Sequence, residues 1–182
     1  MDITGLILAG GQGSRMGGVD KGLVHWQQRP LVSYCLAALK PLCTTLLISC
    51  NRNQDQYALM SGNIVSDQNP DFQGPLSGLV SAFPLVQSEW LMVAPCDTPK
   101  ITSELMALLT SQASDAGIYA LKGERKDHPL HCLIHRTAFS SIEMAFNEGK
   151  RSVYRVFNDL SVEWVDVPEE SLMANINALT DA

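Results

Sequence analysis

Seven short apolar runs, at 5–8, 45–49, 63–65, 90–94, 118–121, 132–134 and 162–165, recur along the chain at strand length, separated by stretches with helical spacing. This alternation is the mark of parallel βαβ units. The run Leu91-Met92-Val93-Ala94 puts apolar side chains on both faces of a strand, so helices have to cover both sides of the sheet. Pro30 and Pro41 bracket a helix over 31–39, and 76–86 and 103–109 read as further helices. The expected fold is an α/β, three-layer α/β/α sandwich with a mostly parallel, Rossmann-like sheet.

A chain of 182 residues, 46% hydrophobic, can bury one good core but not two enzymatic ones, so a single domain over 1–182 is expected. Thirteen Lys and Arg against nineteen Asp and Glu give nothing that draws the whole protein to nucleic acid. Any polyphosphate ligand must therefore be held by a local cluster of cations. Five cysteines without small-scaffold spacing fit a reducing cytoplasm better than a disulfide framework. No basic region precedes the apolar run 6–9, and glycines interrupt it at once, so a soluble, unprocessed, cytoplasmic protein without a membrane span is expected. The polar stretch 122–127 is the best candidate for a mobile surface loop.

The first run leads into Leu8-Ala9-Gly10-Gly11-Gln12-Gly13-Ser14-Arg15-Met16-Gly17-Gly18-Val19-Asp20-Lys21. A loop leaving the carboxyl end of a strand is where open α/β sheets bind ligands. Glycines let backbone N–H groups converge on phosphate oxygens, and Arg15 and Lys21 supply the charge a triphosphate needs. The loop lacks the Gly-Lys-Ser/Thr ending of a Walker motif and the third glycine of a dinucleotide fingerprint. The plain alternative is a tight turn with two solvated cations.

This string resembles the Leu-Ala-Gly-Gly-x3-Arg-Met-Gly-x2-Lys signature of nucleotidyltransferases that activate sugars and cofactors, with one more residue before the Lys, and its Gly-Gly-Val-Asp-Lys-Gly-Leu continuation is similar to the molybdenum cofactor guanylyltransferases. The resemblance implies a magnesium-dependent transfer of GMP from GTP to the terminal phosphate of a molybdopterin. Arg15, Lys21 and Asp97 would carry the reaction.

Asp97 follows the apolar strand within Pro95-Cys96-Asp97-Thr98-Pro99. A carboxylate there is placed to hold Mg²⁺ or, alternatively, to cap a helix beginning near Ile101. The family's Pro-Cys-Asp-x-Pro segment implies the metal role. Asp67, after another short strand, is either a turn residue or, as the family implies, a contact to the guanine nucleotide. Gly74-Pro75-Leu76-Ser77-Gly78 resembles the family's Gly-Pro-Leu-x-Gly turn beneath the base. A guanine edge offers N1–H and N2–H₂ donors, for which Leu8 backbone, Ser49, Asn51 and Asp67 are candidate acceptors. Ala9, Gly10, Gly11, Gly13 and Gly78 complete the expected GTP site. Ser49 stands where the family tends to have the first Asn of Asn-x-Asn.

In the second half, Gly123-Glu124-Arg125-Lys126-Asp127-His128-Pro129 resembles the family's Gly-Glu-Arg-Asp-His-Pro loop with an added Lys. Gly149-Lys150-Arg151-Ser152-Val153 and Asn175-Ile176-Asn177 resemble its Gly-x-Arg-x-Val and Asn-x-Asn segments. These imply a pterin site at Arg125, His128, Lys150, Arg151, Asn175 and Asn177, although solvated surface charge is the alternative for the cations. The nucleotide part is then about 1–100 and the acceptor part about 101–182. His128, His131, Cys132 and His135 suit zinc only on a helix; as a strand, alternation sends Cys132 to the other face. Two further readings stay open: a cytidylyltransferase or sugar-phosphate nucleotidyltransferase of the same fold, and a non-catalytic nucleotide or cofactor sensor.

Overall fold

A computed structural model of the chain describes residues 1–9, 19–61, 63–67 and 74–176. Strand β1 (Ile3–Leu8) is buried along its whole length and forms the axis of a seven-stranded sheet. It pairs in parallel with β4 (Thr45–Ser49) on one side and β6 (Trp90–Pro95) on the other, and β5 (Ile64–Val65) extends the sheet beyond β4. Past β6 come β8 (Asp127–His135), β7 (Ile118–Lys122) and β9 (Glu163–Asp166), in that order. Among the described strands of this sheet only β8 runs against the common direction, because it is antiparallel to both neighbours while β9 is parallel to β7. A short antiparallel pair, β2 (His25–Trp26) and β3 (Arg29–Pro30), stands apart.

Strand periodicity divides the interior in two. Trp90, Met92 and Ala94 of β6 face a core shared with α1 (Leu31–Leu39) and α4 (Ser103–Gln112). Leu91 and Val93 face a second core with α3 (Pro75–Ala82), α5 (Phe139–Asn147) and α6 (Val153–Asp159). Helices on both sides follow from a strand with no polar face, and the three-layer α/β/α sandwich with its mostly parallel sheet is the observed architecture.

The run 76–86 divides into α3 and a 3-10 turn, Phe83–Leu85, because Pro84 has no N–H to continue an α-helix. Thr102, not Asp97, caps α4: its side chain accepts from Leu105 N at 3.2 Å. The stretch 122–127 is the surface connection between β7 and β8, closed by Gly123 N donating to Lys126 O at 2.9 Å. An additional helix, α2 (Gln54–Ser61), buries Tyr57 and carries no apolar stripe, so periodicity alone passes over it. Among the described residues no helix is long and apolar enough to cross a membrane.

Candidate active site at the carboxyl edge of the sheet

The chain runs outward from β1 through β4 to β5, then returns to place β6 on the other side of β1. The crevice at such a reversal, outside the carboxyl ends of the strands, is the place where doubly wound sheets bind ligands. Backbone bonds knit this edge: Ala9 N donates to Ser49 O, Cys50 N to Val65 O and Cys96 N to Leu8 O, at 2.9, 2.9 and 3.1 Å. Gly78, at the start of α3, packs into it. A Cβ there would come within 3.2 Å of Leu8 Cδ2 and closer still to the Ser49 hydroxyl. Leu8, Ala9, Ser49 and Gly78 are therefore buried together at this edge of the sheet. Gly10, Gly11, Gly13 and Arg15 lie outside the described residues, as does Asn177.

Asp97 joins three distant parts of the chain. Its Oδ2 accepts from Lys21 Nζ at 2.6 Å and from Asn175 Nδ2 at 3.0 Å, and its backbone carbonyl accepts from Ile176 N at 2.8 Å. Lys21 belongs to a 3-10 turn, Lys21–Leu23, next to the glycine-rich segment. Lys21 and Asp97 side chains are 25% and 15% exposed, so their ion pair is shielded yet reachable. The other carboxylate oxygen, Asp97 Oδ1, is buried and has no hydrogen-bond partner among the described residues. Burying a charged oxygen without a partner is costly, and a hard divalent cation, which takes oxygen ligands, fits it. Among the described residues no group of three or more His, Cys, Asp or Glu could hold a metal alone. Such a cation would be held by one or two carboxylates together with substrate phosphates, as Mg²⁺ commonly is.

Asp67 is fixed by a reciprocal pair. Its backbone N donates to Asn51 Oδ1 and its Oδ2 accepts from Asn51 Nδ2, both at 2.9 Å. Asp67 Oδ1 is left buried, without a hydrogen-bond partner among the described residues. The Asn51 amide is thus committed to orienting Asp67, and the carboxylate presents the acceptor.

The expected acceptor residues divide into two groups. Arg125, His128 and Asn175 line a cavity of about 500 Å³ beside Asp97. Glu170, which the sequence reading did not single out, closes its wall: its Oε2 accepts from Arg125 N at 3.0 Å and its Oε1 lies 3.6 Å from His128 Nε2. Gly123 abuts the Glu170 carboxylate, with no space for a Cβ. The signal for Glu170 was this glycine, but nothing in sequence links positions 123 and 170. Lys150 and Arg151 line a different hollow, of about 660 Å³, with Tyr154 and Arg155. Lys150 is paired with Asp159 at 2.8 Å, while Arg151 donates to Phe146 O and lies 4.3 Å over the Phe146 ring. Both cations lie between α5 and α6 and are engaged there by residues of those helices, so the structure does not bring them together with Arg125 and His128.

A β-bulge reshapes the histidine cluster. Ala120 pairs with Cys132 but Leu121 with His128, so 129–131 are extra residues on β8. His131 is thereby buried, with Nε2 3.0 Å from Thr98 Oγ1 beside Asp97. His135 instead contacts Thr137 and the Trp90 ring. Burial lowers the His131 pKa from its ordinary 6.5 to about 3, with His128 and Lys126 adding to the shift. The folded state thus binds this proton less readily than the unfolded chain. The stability this group contributes is complete above pH 6.5 and is lost as pH falls toward about 3. Denaturant titrations are expected to show a slope approaching about 1.4 kcal/mol per pH unit from this one proton within that window. A His131→Gln variant should flatten the slope; an unchanged slope contradicts the assignment. Burial also raises the thiols, Cys35 to about 12 and Cys96 well above the usual range, leaving them unreactive.

Residues 5–164 match the family model described as MobA-like NTP transferase domain. A molybdenum cofactor guanylyltransferase of Ectopseudomonas mendocina (strain ymp) is 36% identical over 173 residues, covering 94% of this chain and 86% of that protein. Another, of Pseudomonas fluorescens (strain Pf0-1), is 39% identical over 178 residues, covering 94% and 88%. The solved structure of molybdopterin-guanine dinucleotide biosynthesis protein A from Archaeoglobus fulgidus has a TM-score of 0.78 at 21% identity, over 98% of this chain and 94% of that one. At that identity the likeness is one of fold.

Proposed function

Because the chain belongs to the MobA-like NTP transferase family, we propose that it transfers GMP from GTP to the terminal phosphate of a molybdopterin, yielding the guanine dinucleotide form of the cofactor and pyrophosphate. The observation that carries this reading is the meeting of Lys21, Asn175 and Asp97 at the reversal point of the sheet, with Asp97 Oδ1 buried and turned to no protein donor among the described residues. Residues to about 100 would hold the nucleotide, and the cavity of Arg125, His128 and Asn175 the acceptor.

Asp97 Oδ1 would hold Mg²⁺, which supplies charge neutralisation for the triphosphate and the departing pyrophosphate. Lys21 would share its ammonium between Asp97 and a phosphate oxygen, and Arg15 with the amides of Gly10, Gly11 and Gly13 would bind the rest of the polyphosphate. The nucleophile is a phosphate oxygen, already anionic near neutral pH, so in-line attack on the α-phosphorus needs no general base. What the chain must do is hold two anions in line and offset their repulsion.

Asp67 Oδ1 would accept from N1–H and N2–H₂ of guanine, with Asn51 keeping the carboxylate in place. A thermal-shift panel of GTP, CTP, UTP and ATP with Mg²⁺ tests this, since a ligand bound by the native state raises the midpoint. GTP is expected to raise it most. Asp67→Asn should weaken GTP by roughly ten- to a hundredfold, the value of a charge-assisted hydrogen bond, and leave the other three unchanged. Equal shifts with all four nucleotides would contradict base selection by Asp67, and a preference for CTP would favour the cytidylyltransferase alternative. Pyrophosphate release on adding molybdopterin separates an enzyme from a sensor.

A further inference from the structure

Asp20 directly precedes Lys21, in a segment whose proposed ligand is a polyanion, where a free carboxylate would repel the phosphates. Its charge is instead turned onto α2. Asp20 Oδ1 accepts from the Tyr57 hydroxyl, and Oδ2 accepts from Asn53 Nδ2 at 2.9 Å. Tyr57 is fully inaccessible, the buried anchor of a helix that otherwise shows little to the core. Its hydroxyl also presses on Gly22, the residue after Lys21, so closely that a Cβ there would overlap it. Asn53 sits at φ 51°, a left-handed conformation that aims its amide across to Asp20 while its carbonyl starts α2 by accepting from Gln56 N and Tyr57 N. Lys21 is therefore gripped on either side, through Asp20 and through Gly22, by the same two turns of chain.

We propose that Tyr57 and Asn53 are positioning residues for Lys21: by hooking Asp20 back onto α2 they hold the Lys21 ammonium at Asp97 and the nucleotide phosphates. The inference rests on the reading of Lys21 as a phosphate ligand. Burial and the Asp20 carboxylate keep the Tyr57 hydroxyl protonated far above the ordinary tyrosine range, so it remains a donor at every working pH. The same short segment carries Asn51, which orients Asp67. Base-side and phosphate-side groups thus hang from one structural unit, the β4-to-α2 turn.

A double-mutant cycle tests the proposal. Tyr57→Phe keeps the ring and removes the hydroxyl; it is expected to lower kcat/KM for GTP about tenfold, the value of one buried hydrogen bond to a charged partner. In a Lys21→Met background the same substitution should change kcat/KM less than about twofold, because the group being positioned is gone. Equal losses in both backgrounds, or no loss in either, would overturn the positioning role. A Lys21→Met variant with normal kcat/KM would instead refute the underlying reading of Lys21. Asn53→Ala removes the exposed arm of the hook and leaves the buried ring in place, so it reports even if Tyr57→Phe folds poorly. It should show a smaller loss with the same dependence on Lys21, and an independent loss counts against the proposal.

Discussion

Substituting Asp97 by Asn is expected to lower turnover at saturating GTP and Mg²⁺ by about a thousandfold, near 4 kcal/mol of transition-state stabilisation, as removal of a metal-holding charge should. The substitution is close to isosteric. The retained amide oxygen can still accept from Asn175 Nδ2, which meets Asp97 Oδ2 at 3.0 Å, so the junction of β6 with the segment 174–176 should survive. What disappears is the charge on the buried Oδ1 and the attraction for Lys21, 2.6 Å away at Oδ2. Continuous measurement of pyrophosphate with an intact melting midpoint distinguishes loss of chemistry from loss of fold. Turnover within tenfold of the parent would mean that the metal is held elsewhere.

Lys21→Met should weaken GTP binding by roughly ten- to a hundredfold, the range for a charge-assisted hydrogen bond removed from a shielded site. The methionine stem retains most of the aliphatic packing, so the loss is electrostatic. It also leaves Asp97 without its ion-pair partner in the free protein, and an uncompensated, largely buried carboxylate favours any cation that can reach it. Nucleotide affinity should therefore fall while affinity for the divalent ion alone rises. Calorimetric GTP affinity equal to the parent's would remove Lys21 from the site.

The parts legible in sequence were those governed by local pattern. Apolar runs at 45–49 and 90–94 coincide with β4 and β6 to within a residue, and the prolines at 30 and 41 bracket α1. The positions of Asp67 and Asp97 after strands were readable for the same reason. Convergence was not, because it is tertiary: Lys21 and Asn175 reach Asp97 across 76 and 78 residues of chain. The Tyr57 and Asn53 hook on Asp20 was hidden twice, first because α2 lacks a hydrophobic stripe and then because a Tyr among polar residues carries no local signal. The bulge in β8 escaped too, since an extra 129–131 segment leaves the apolar pattern of 132–134 intact while turning His131 toward Thr98. The separation of Lys150 and Arg151 from the cavity beside Asp97 was not readable either, because it depends on contacts with α5 and α6 that the local motif does not encode.

A crystal structure with Mn²⁺ and a non-hydrolysable GTP analogue locates both metal and nucleotide, because manganese replaces magnesium at oxygen ligands and scatters anomalously. The expected result is an anomalous peak at the Asp97 carboxylate, next to the triphosphate, with the guanine edge on Asp67. A nucleotide bound away from the ends of β1 and β6, or a peak with no bond to Asp97, would contradict it.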